Sequence, residues 1–247
     1  AMRVLAWFSC GAASAVAAKM AIEKHGDAVD VLYCDTMADE HPDQQRFFDD
    51  AQEWLGVPII RLKTEGYDSV DDVFEKHRFM SSPYGAKCTV VMKKMPRFAY
   101  QTVDDVHVFG LTADEPGRIA RFEQANHDMK LEWPLQDHNY TKAKCLARLV
   151  QEKIELPAMY SLGFRNNNCL GCVKSTSGFY WNAIRRNFPA TFQKRCEQSR
   201  ELGVRLVRYK NERIFLDELP ADYMAGGLEN ISCGPDCAPQ MKLELPQ

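Results

Sequence analysis

The fold is decided by residues 3–14, which read RVLAWFSCGAAS. An apolar run ends at Ser9, small residues form a turn at Cys10 and Gly11, and an alanine-rich stretch follows from Ala12 to Ile22. Apolar runs that end in turn residues are typical of buried strands, and alanine favours helix. The segment therefore predicts a strand, a tight turn and a helix.

The same alternation continues along the chain. Apolar runs at residues 29–34, 57–62 and 106–111 predict three further strands, and helical patterns lie between them. Strands that alternate with helices form a parallel sheet with helices on both faces, and ligands bind at the carboxyl ends of its strands. We therefore predict an α/β domain over residues 2–160 and a small cysteine-bearing C-terminal module over residues 161–247.

Three groups of residues directly follow predicted strands and are candidates for a binding site. They are Ser9 to Ser14, Asp35 with Thr36, and Gly110 to Arg118. The first group lies where a helix begins. Unpaired backbone amides and the helix dipole bind anions at such a position, and small side chains let a phosphate approach. The sequence therefore predicts an anion site at this turn.

The charge and hydropathy of the chain exclude several classes of protein. The chain has 31 Lys plus Arg against 34 Asp plus Glu, a formal charge of −3. This balance disfavours broad electrostatic binding of nucleic acid, although a local basic patch is compatible with it. No stretch approaches the roughly 18 to 20 apolar residues of a membrane span. We therefore predict a cytoplasmic protein, in which the nine cysteines favour metal or redox chemistry over disulfides.

The turn at residues 9–14 resembles the loop of the PP-loop superfamily, the adenine nucleotide alpha hydrolase fold, whose usual sequence is SGGxDS. Cys10 replaces the second residue of that loop, and Ala13 replaces the acidic one. The acidic residue looks to assist magnesium in the ATP pyrophosphatases of the superfamily, so its loss disfavours ATP cleavage. The sulfonucleotide reductases of the superfamily have divergent loops, because they bind a sulfated nucleotide and do not split pyrophosphate.

The resemblance to sulfonucleotide reductases, the phosphoadenosine phosphosulfate reductase-like family, covers most of residues 4–175. Residues 110–121 resemble the reductase stretch that holds phosphate or sulfate, with Thr112 where arginine is usual. Residues 133–135, 156–164 and 168–172 are similar to later reductase segments in order and spacing. The resemblance implies an adenine nucleotide bound by Ser9, Cys10, Gly11, Ala12, Ala13, Ser14, Asp35, Thr36, Gly110 and Arg118. It implies sulfate or phosphate contacts by Lys87, Lys93 and Arg121.

Cys169 and Cys172 form a CxxC motif, whose spacing lets both sulfurs face one metal or cluster. A redox dithiol is the alternative, but that motif is expected at a helix N-terminus, and here it ends an asparagine-rich loop. Cys88 resembles the cysteine element of the cluster-bearing reductases, with Lys87 in place of the first of two adjacent cysteines. The resemblance implies a 4Fe-4S cluster held by Cys88, Cys169 and Cys172, with zinc as the alternative metal. The fourth ligand then comes from elsewhere, or one iron is open.

Cys233 and Cys237 form a second pair near the C-terminus. Cys233 and the glycine after it resemble the ECGxH tail that carries the nucleophilic cysteine of sulfonucleotide reductases, with Asp236 at the histidine position. The resemblance implies that Cys233 or Cys237 is catalytic and attacks sulfur to form a thiosulfonate. Alternatively, Cys233 and Cys237 join Cys169 and Cys172 as metal ligands.

The leading hypothesis is a reductase that acts on 3'-phosphoadenylyl sulfate or adenylyl sulfate and releases sulfite. Its implied partners are the sulfonucleotide and a thiol reductant such as thioredoxin. The first alternative is an ATP-dependent iron-sulfur sulfurtransferase that modifies tRNA or DNA, which the single Cys88 favours and Ala13 opposes. The second alternative is a non-catalytic adenine-nucleotide-binding protein. The sequence predicts no oligomeric state.

Overall fold

A computed structural model describes residues 2–227 and residue 231. Its strands are β1 (Val4–Trp7), β2 (Val29–Cys34), β3 (Ile59–Leu62), β4 (Ser81–Ser82), β5 (Gly85–Ala86), β6 (Val106–Phe109), β7 (Lys130–Glu132), β8 (Val207–Tyr209) and β9 (Glu212–Ile214). Five of them form one parallel sheet in the order β3-β2-β1-β6-β7. The strands expected from the four apolar runs are β1, β2, β3 and β6.

The helices lie mostly between these strands. They are α1 (Ala12–His25), α2 (Gln44–Leu55), α3 (Val70–His77), α4 (Lys87–Thr89), α5 (Met95–Tyr100), α6 (Pro116–Ala125), α7 (Pro134–Asp137), α8 (Lys142–Gln151), α9 (Ala158–Ser161), α10 (Gly178–Asn187) and α11 (Pro189–Glu201). A π-helical stretch, Val90–Lys94, joins α4 to α5. None of the described helices is long and apolar enough to cross a membrane.

Side chains alternate between the two faces of the sheet, as the pleat of a strand requires. Val4 and Ala6 of β1 pack into an apolar cluster with residues of α1, α2 and α8. Leu5 and Trp7 point to the opposite face, where they join a cluster with residues of β6 and α6. Both faces are therefore covered by helices, and the predicted α/β fold class is confirmed.

A third apolar cluster lies outside the sheet. It brings Val73 and Phe74 of α3 together with Trp181 of α10 and Cys196 of α11. Residues 70–92 therefore share a core with residues 159–219 and with Ile231, which pack on the insertion between β3 and β6. The boundary at residue 160 stays a prediction.

The strand order places a switch point beside β1. The chain runs from β1 outward through β2 to β3, and then returns to form β6 on the other side of β1. At such a point the connections leave the carboxyl ends of neighbouring strands in opposite directions, and a crevice opens between them. A ligand is therefore expected above the ends of β1 and β6.

Candidate functional site

A cavity of about 190 Å³ lies at this switch point. It is bounded by the turn between β1 and α1, by the segment that follows β6, and by residues of the later helices and loops. The lining residues are Trp7, Ser9, Gly11, Ala12, Ala13, Ser14, Phe109, Gly110, Leu111, Thr112, Asp114, Glu115, Arg118, Lys142, Tyr160, Arg165, Asn166, Asn167, Asn168 and Ile231. The structure thus brings the first and third predicted groups together.

The first turn of α1 presents backbone amides to the cavity. The Ala12 N–H donates to the Tyr160 hydroxyl at 3.3 Å. The amides of Ala13 and Ser14 have no acceptor among the residues that the structure describes. Because α1 has 14 residues, its dipole adds partial positive charge at this end. Two unpaired amides at the start of a long helix make this wall of the cavity suited to an anion.

The turn is held in shape by a hydroxyl and by a close backbone contact. The Ser14 hydroxyl accepts from the Ser9 amide at 3.0 Å and donates to the Gly11 carbonyl at 3.0 Å. Gly110 lies against the same turn: a Cβ added there would be 2.6 Å from the Ser14 Cα. Only glycine therefore allows the end of β6 to approach the first turn of α1 this closely.

Cys10 supports the turn from beneath and does not line the cavity. Its backbone is left-handed at φ +56°, which is uncommon for a residue other than glycine. Its carbonyl accepts from the Asn167 side-chain amide at 2.8 Å and from the Gln44 side-chain amide at 3.4 Å. Burial raises the pKa of the Cys10 thiol well above its usual value, so the thiol is neutral at physiological pH. The predicted ligand contact of Cys10 stays a prediction.

Cationic side chains line another part of the cavity. Arg118 forms a 2.8 Å ion pair with Glu115, and Arg165 is exposed at the rim. Burial opposes ionisation of Glu115, but the charge of Arg118 and hydrogen bonds from Thr112 outweigh it and lower the pKa of this carboxyl. The Arg118 guanidinium is therefore held by a permanently charged partner at neutral pH.

Lys142 is a third cation at the cavity, and no sequence pattern pointed to it. Its ammonium group donates to the Arg165 carbonyl and to the Asn166 side-chain oxygen. It also lies 5.3 Å from the centre of the Tyr160 ring. Burial lowers the pKa of the Lys142 amine to about 8. Lysine is a common surface residue, so the sequence alone does not predict that Lys142 lies at the cavity; its position follows from the packing of α8.

The remaining predicted nucleotide and anion ligands are not among the residues that line the cavity. Asp35 and Thr36 follow β2, where Asp35 accepts from the Met37 amide at 3.0 Å and the Thr36 hydroxyl donates to Glu40 at 2.6 Å. Lys87 begins α4, Lys93 is buried in the π-helical stretch, and Arg121 is exposed on α6. Their predicted contacts stay predictions.

Three of the predicted metal ligands belong to the third apolar cluster, the one that lies outside the sheet. Cys169 and Cys172 are buried in it, and half-buried Cys88 packs against it. Within residues 2–227 and 231, however, no group of three or more His, Cys, Asp or Glu side chains is placed to hold a metal ion. Cys233 and Cys237 lie outside the described residues. The donor set that can be described therefore does not complete a metal site.

The CxxC segment is nevertheless held by specific contacts. The Leu170 amide donates to the Asp39 carbonyl at 2.8 Å, and the Cys172 amide donates to the Tyr180 hydroxyl at 2.8 Å. The Gly171 carbonyl accepts from the Arg195 side chain at 3.2 Å. Gly171 has φ +63°, and a Cβ there would be 3.0 Å from Thr191. The middle of the motif therefore needs glycine in its present conformation.

Comparison with known proteins finds likeness in structure and none in sequence. No protein-family model matches the chain, and no curated protein matches it. The chain is similar to the crystal structure of phosphoadenylyl-sulfate (PAPS) reductase from Candida auris in its phosphate complex, with 16% sequence identity and a TM-score of 0.47. The likeness covers 68% of this chain and 81% of that chain.

Proposed function

We propose that this protein is a sulfonucleotide reductase-like enzyme, which binds an adenylyl sulfate-type nucleotide in the cavity and releases sulfite. One observation carries the proposal. The cavity combines two unpaired amides at the start of α1 with three cationic side chains, Arg118, Lys142 and Arg165. A nucleotide with a phosphosulfate group has anionic oxygens for both parts of such a site.

The walls of the cavity differ in chemistry, and this supports a nucleotide over a simple anion. The amides of Ala13 and Ser14 suit a phosphate that approaches a helix N-terminus. Trp7, Phe109 and Leu111 add apolar surface, which suits a purine base. The charge of the chain, −3, also fits a small anionic ligand held by local cations better than a long nucleic acid.

The proposed reaction uses a cysteine thiolate as nucleophile. The thiolate attacks the sulfur atom of the nucleotide, a sulfur–sulfur bond forms, and the bond from sulfur to the bridging oxygen breaks, which releases the nucleoside phosphate. A second thiol, from a reductant of the thioredoxin class, then attacks the cysteine sulfur. Sulfite leaves with the electron pair of the sulfur–sulfur bond, and a disulfide forms. The resemblance to sulfonucleotide reductases implies that Cys233 or Cys237 is the nucleophile, and both lie outside the described residues.

A 4Fe-4S cluster on Cys88, Cys169 and Cys172, or a zinc ion in its place, remains part of the proposal as a prediction. The three cysteines belong to one apolar cluster, but the described residues do not complete a metal site. No step of the proposed reaction is therefore routed through a metal group.

The test measures sulfite release from both sulfonucleotides in the presence of thioredoxin and its reductase. The wild-type protein, purified without oxygen, is expected to release sulfite and nucleoside phosphate in equal amounts. Arg118→Met should lose most of this activity. Arg148→Met is the matched control, because Arg148 also forms an ion pair, at 2.6 Å with Glu23, but does not line the cavity. A folded wild-type protein that releases no sulfite from either nucleotide would refute the proposal.

A second candidate is the ATP-dependent sulfurtransferase. Asp114 and Glu115 are carboxylates in the cavity wall, and carboxylates bind the magnesium ion that accompanies ATP. Glu115 is already paired with Arg118, and the Asp114 carboxylate accepts from the Lys142 backbone amide at 3.0 Å. Conversion of ATP to AMP that depends on added RNA or DNA would favour this candidate over the reductase.

A further inference from the structure

We propose that Lys142 is an anion-contacting residue of the cavity, which binds an anionic group of the nucleotide and links it to the segment that leads into the CxxC motif. The proposal rests on the proposed function, because it assumes that an anionic nucleotide occupies the cavity. It assigns to Lys142 a role that the sequence did not suggest.

Lys142 is a partly buried cation without an anionic partner among the described residues. Its ammonium group has three N–H donors. Two of them are used by neutral acceptors, the Arg165 carbonyl and the Asn166 side-chain oxygen. Among the described residues, no carboxylate lies within ion-pair distance of this nitrogen, whereas Arg118 and Arg148 each have one. A buried charge is costly unless it is paired, so the site is suited to an anion that arrives from the cavity.

Lys142 lies between the first turn of α1 and the asparagine-rich segment of residues 166–168. Tyr160 accepts from the Ala12 amide with its hydroxyl and faces the Lys142 ammonium group with its ring. Lys142 therefore lies next to Tyr160, whose hydroxyl accepts from the first amide of α1. On its other side, Lys142 is bonded to residues 165 and 166, which precede Cys169 by only a few positions. An anion bound at Lys142 would thus contact a side chain that holds this segment in place.

The titration of Lys142 can be separated from that of its neighbours Glu115, Cys145 and Tyr160, whose pKa values lie well away from neutral pH. Glu115 and Arg165 act on its charge, the Asp114 carboxylate accepts from its backbone amide, Cys145 lies on the same helix, and Tyr160 packs against it. Burial raises the pKa of the Cys145 thiol and of the Tyr160 hydroxyl to about 12 in each case, and Glu115 has a lowered pKa. Compared with Glu115, Cys145 and Tyr160, Lys142 is the group whose pKa, about 8, lies near neutral pH.

The test measures the dissociation constant of adenylyl sulfate by calorimetry at two pH values. The linkage between phosphate and sulfate in this nucleotide carries no phosphate monoester, so the charge of the ligand is constant above neutral pH. Wild-type affinity should fall about tenfold between about pH 7 and about pH 9, because the charged fraction of the Lys142 amine falls by that factor. Lys142→Met should weaken binding at neutral pH by roughly tenfold to a hundredfold, the effect of a lost charge-assisted hydrogen bond.

Two further variants separate charge from structure. Lys142→Arg retains the charge, so its binding should be near that of the wild type at neutral pH and should no longer weaken at high pH. Lys144→Met is the matched control, because Lys144 lies on the same helix, is exposed, and donates to the Asn139 carbonyl at 2.7 Å. It should bind as the wild type does at both pH values.

The outcomes separate a failure of the role of Lys142 from a failure of the proposed function. If the wild type binds and Lys142→Met binds equally well, or if Lys142→Met keeps the pH dependence, the role of Lys142 is refuted and the proposed function stands. If Lys142→Arg is as weak as Lys142→Met, the side chain acts through its shape, and the role in anion binding is again refuted. If the wild type binds no adenine nucleotide at either pH, the proposed function fails and the role of Lys142 fails with it.

Discussion

Substitution of Gly110 by alanine should damage the cavity more than any other single methyl group that we can add to it. The new Cβ would lie 2.6 Å from the Ser14 Cα, 2.7 Å from the Ser14 nitrogen and 2.9 Å from the Ser14 Cβ. Ordinary contact begins at 3.4 Å, so β6 and the first turn of α1 must separate by about 0.8 Å. The neighbouring atoms are backbone atoms of a buried helix and cannot rotate away.

The size of the effect follows from this displacement. Overpacking of this kind costs about 1–3 kcal/mol of unfolding free energy. For a chain of this size it lowers the melting temperature by roughly 2–12 °C. The moved turn carries the unpaired amides of Ala13 and Ser14, and its displacement weakens their hydrogen bonds to an anionic ligand, each worth about 1.5–3 kcal/mol. Gly110→Ala should therefore lose nucleotide affinity even under conditions where the protein remains folded.

Calorimetric titration with adenylyl sulfate and thermal unfolding measure the two effects separately. Gly117→Ala is the control, because a Cβ there meets only the flexible end of Arg121, at 3.7 Å. That variant should retain affinity and gain up to about 1 kcal/mol of stability, since alanine favours helix over glycine. Affinity of Gly110→Ala within about twofold of the wild type would refute the argument that the close approach sets the amide positions.

Three further predictions concern the supports of the site. Asn167→Ala removes donors to the Cys10 carbonyl and to the Gln44 side chain, so urea unfolding should show a loss of about 1–3 kcal/mol; an unchanged midpoint would contradict this. Arg195→Met leaves Asp71 without its buried partner and should cost about 3 kcal/mol at neutral pH. Burial opposes ionisation of Asp71, but Arg195 and Lys194 outweigh it and lower the pKa of this carboxyl to about 2. The stabilisation is therefore present above the usual value of 3.8 and is lost as pH falls towards about 2, and Arg195→Met should flatten the acid dependence seen by circular dichroism. Finally, protein purified without oxygen should contain about four irons per chain, and Cys169→Ala should reduce this number; a wild type with zinc and no iron would contradict the cluster.

Much of the sheet could be predicted from the sequence, because four of its strands are apolar runs that precede turn residues. The strand β7 was not predicted, since its three residues, Lys130–Glu132, contain one apolar side chain and lie at the edge of the sheet. The π-helical stretch Val90–Lys94 lies where a helical pattern was expected between the third and fourth strands, but its π geometry was not predicted, because no composition rule separates a π-helix from an α-helix.

The site was predictable where it follows the strands and not where distant segments meet. Ser9, residues 11–14 and Gly110 line the cavity because they follow two strands that are neighbours in the sheet. Asp35 follows β2, on the other side of β1, and is not among the lining residues of a cavity that opens between β1 and β6. Lys142 and Arg165 reach the cavity through tertiary packing of α8 and of the loop after α9, and a lone lysine or arginine carries no signal of such packing.

Photoaffinity labelling tests whether an adenine nucleotide binds above the ends of β1 and β6. A photoreactive azido derivative of adenylyl sulfate is irradiated with the protein, and the labelled peptides are mapped by mass spectrometry. We expect label on peptides that contain residues 7–14, 109–118 or 160–168, and we expect excess adenylyl sulfate to prevent this labelling fully. Label confined to other peptides, or label that excess nucleotide does not displace, would contradict this expectation.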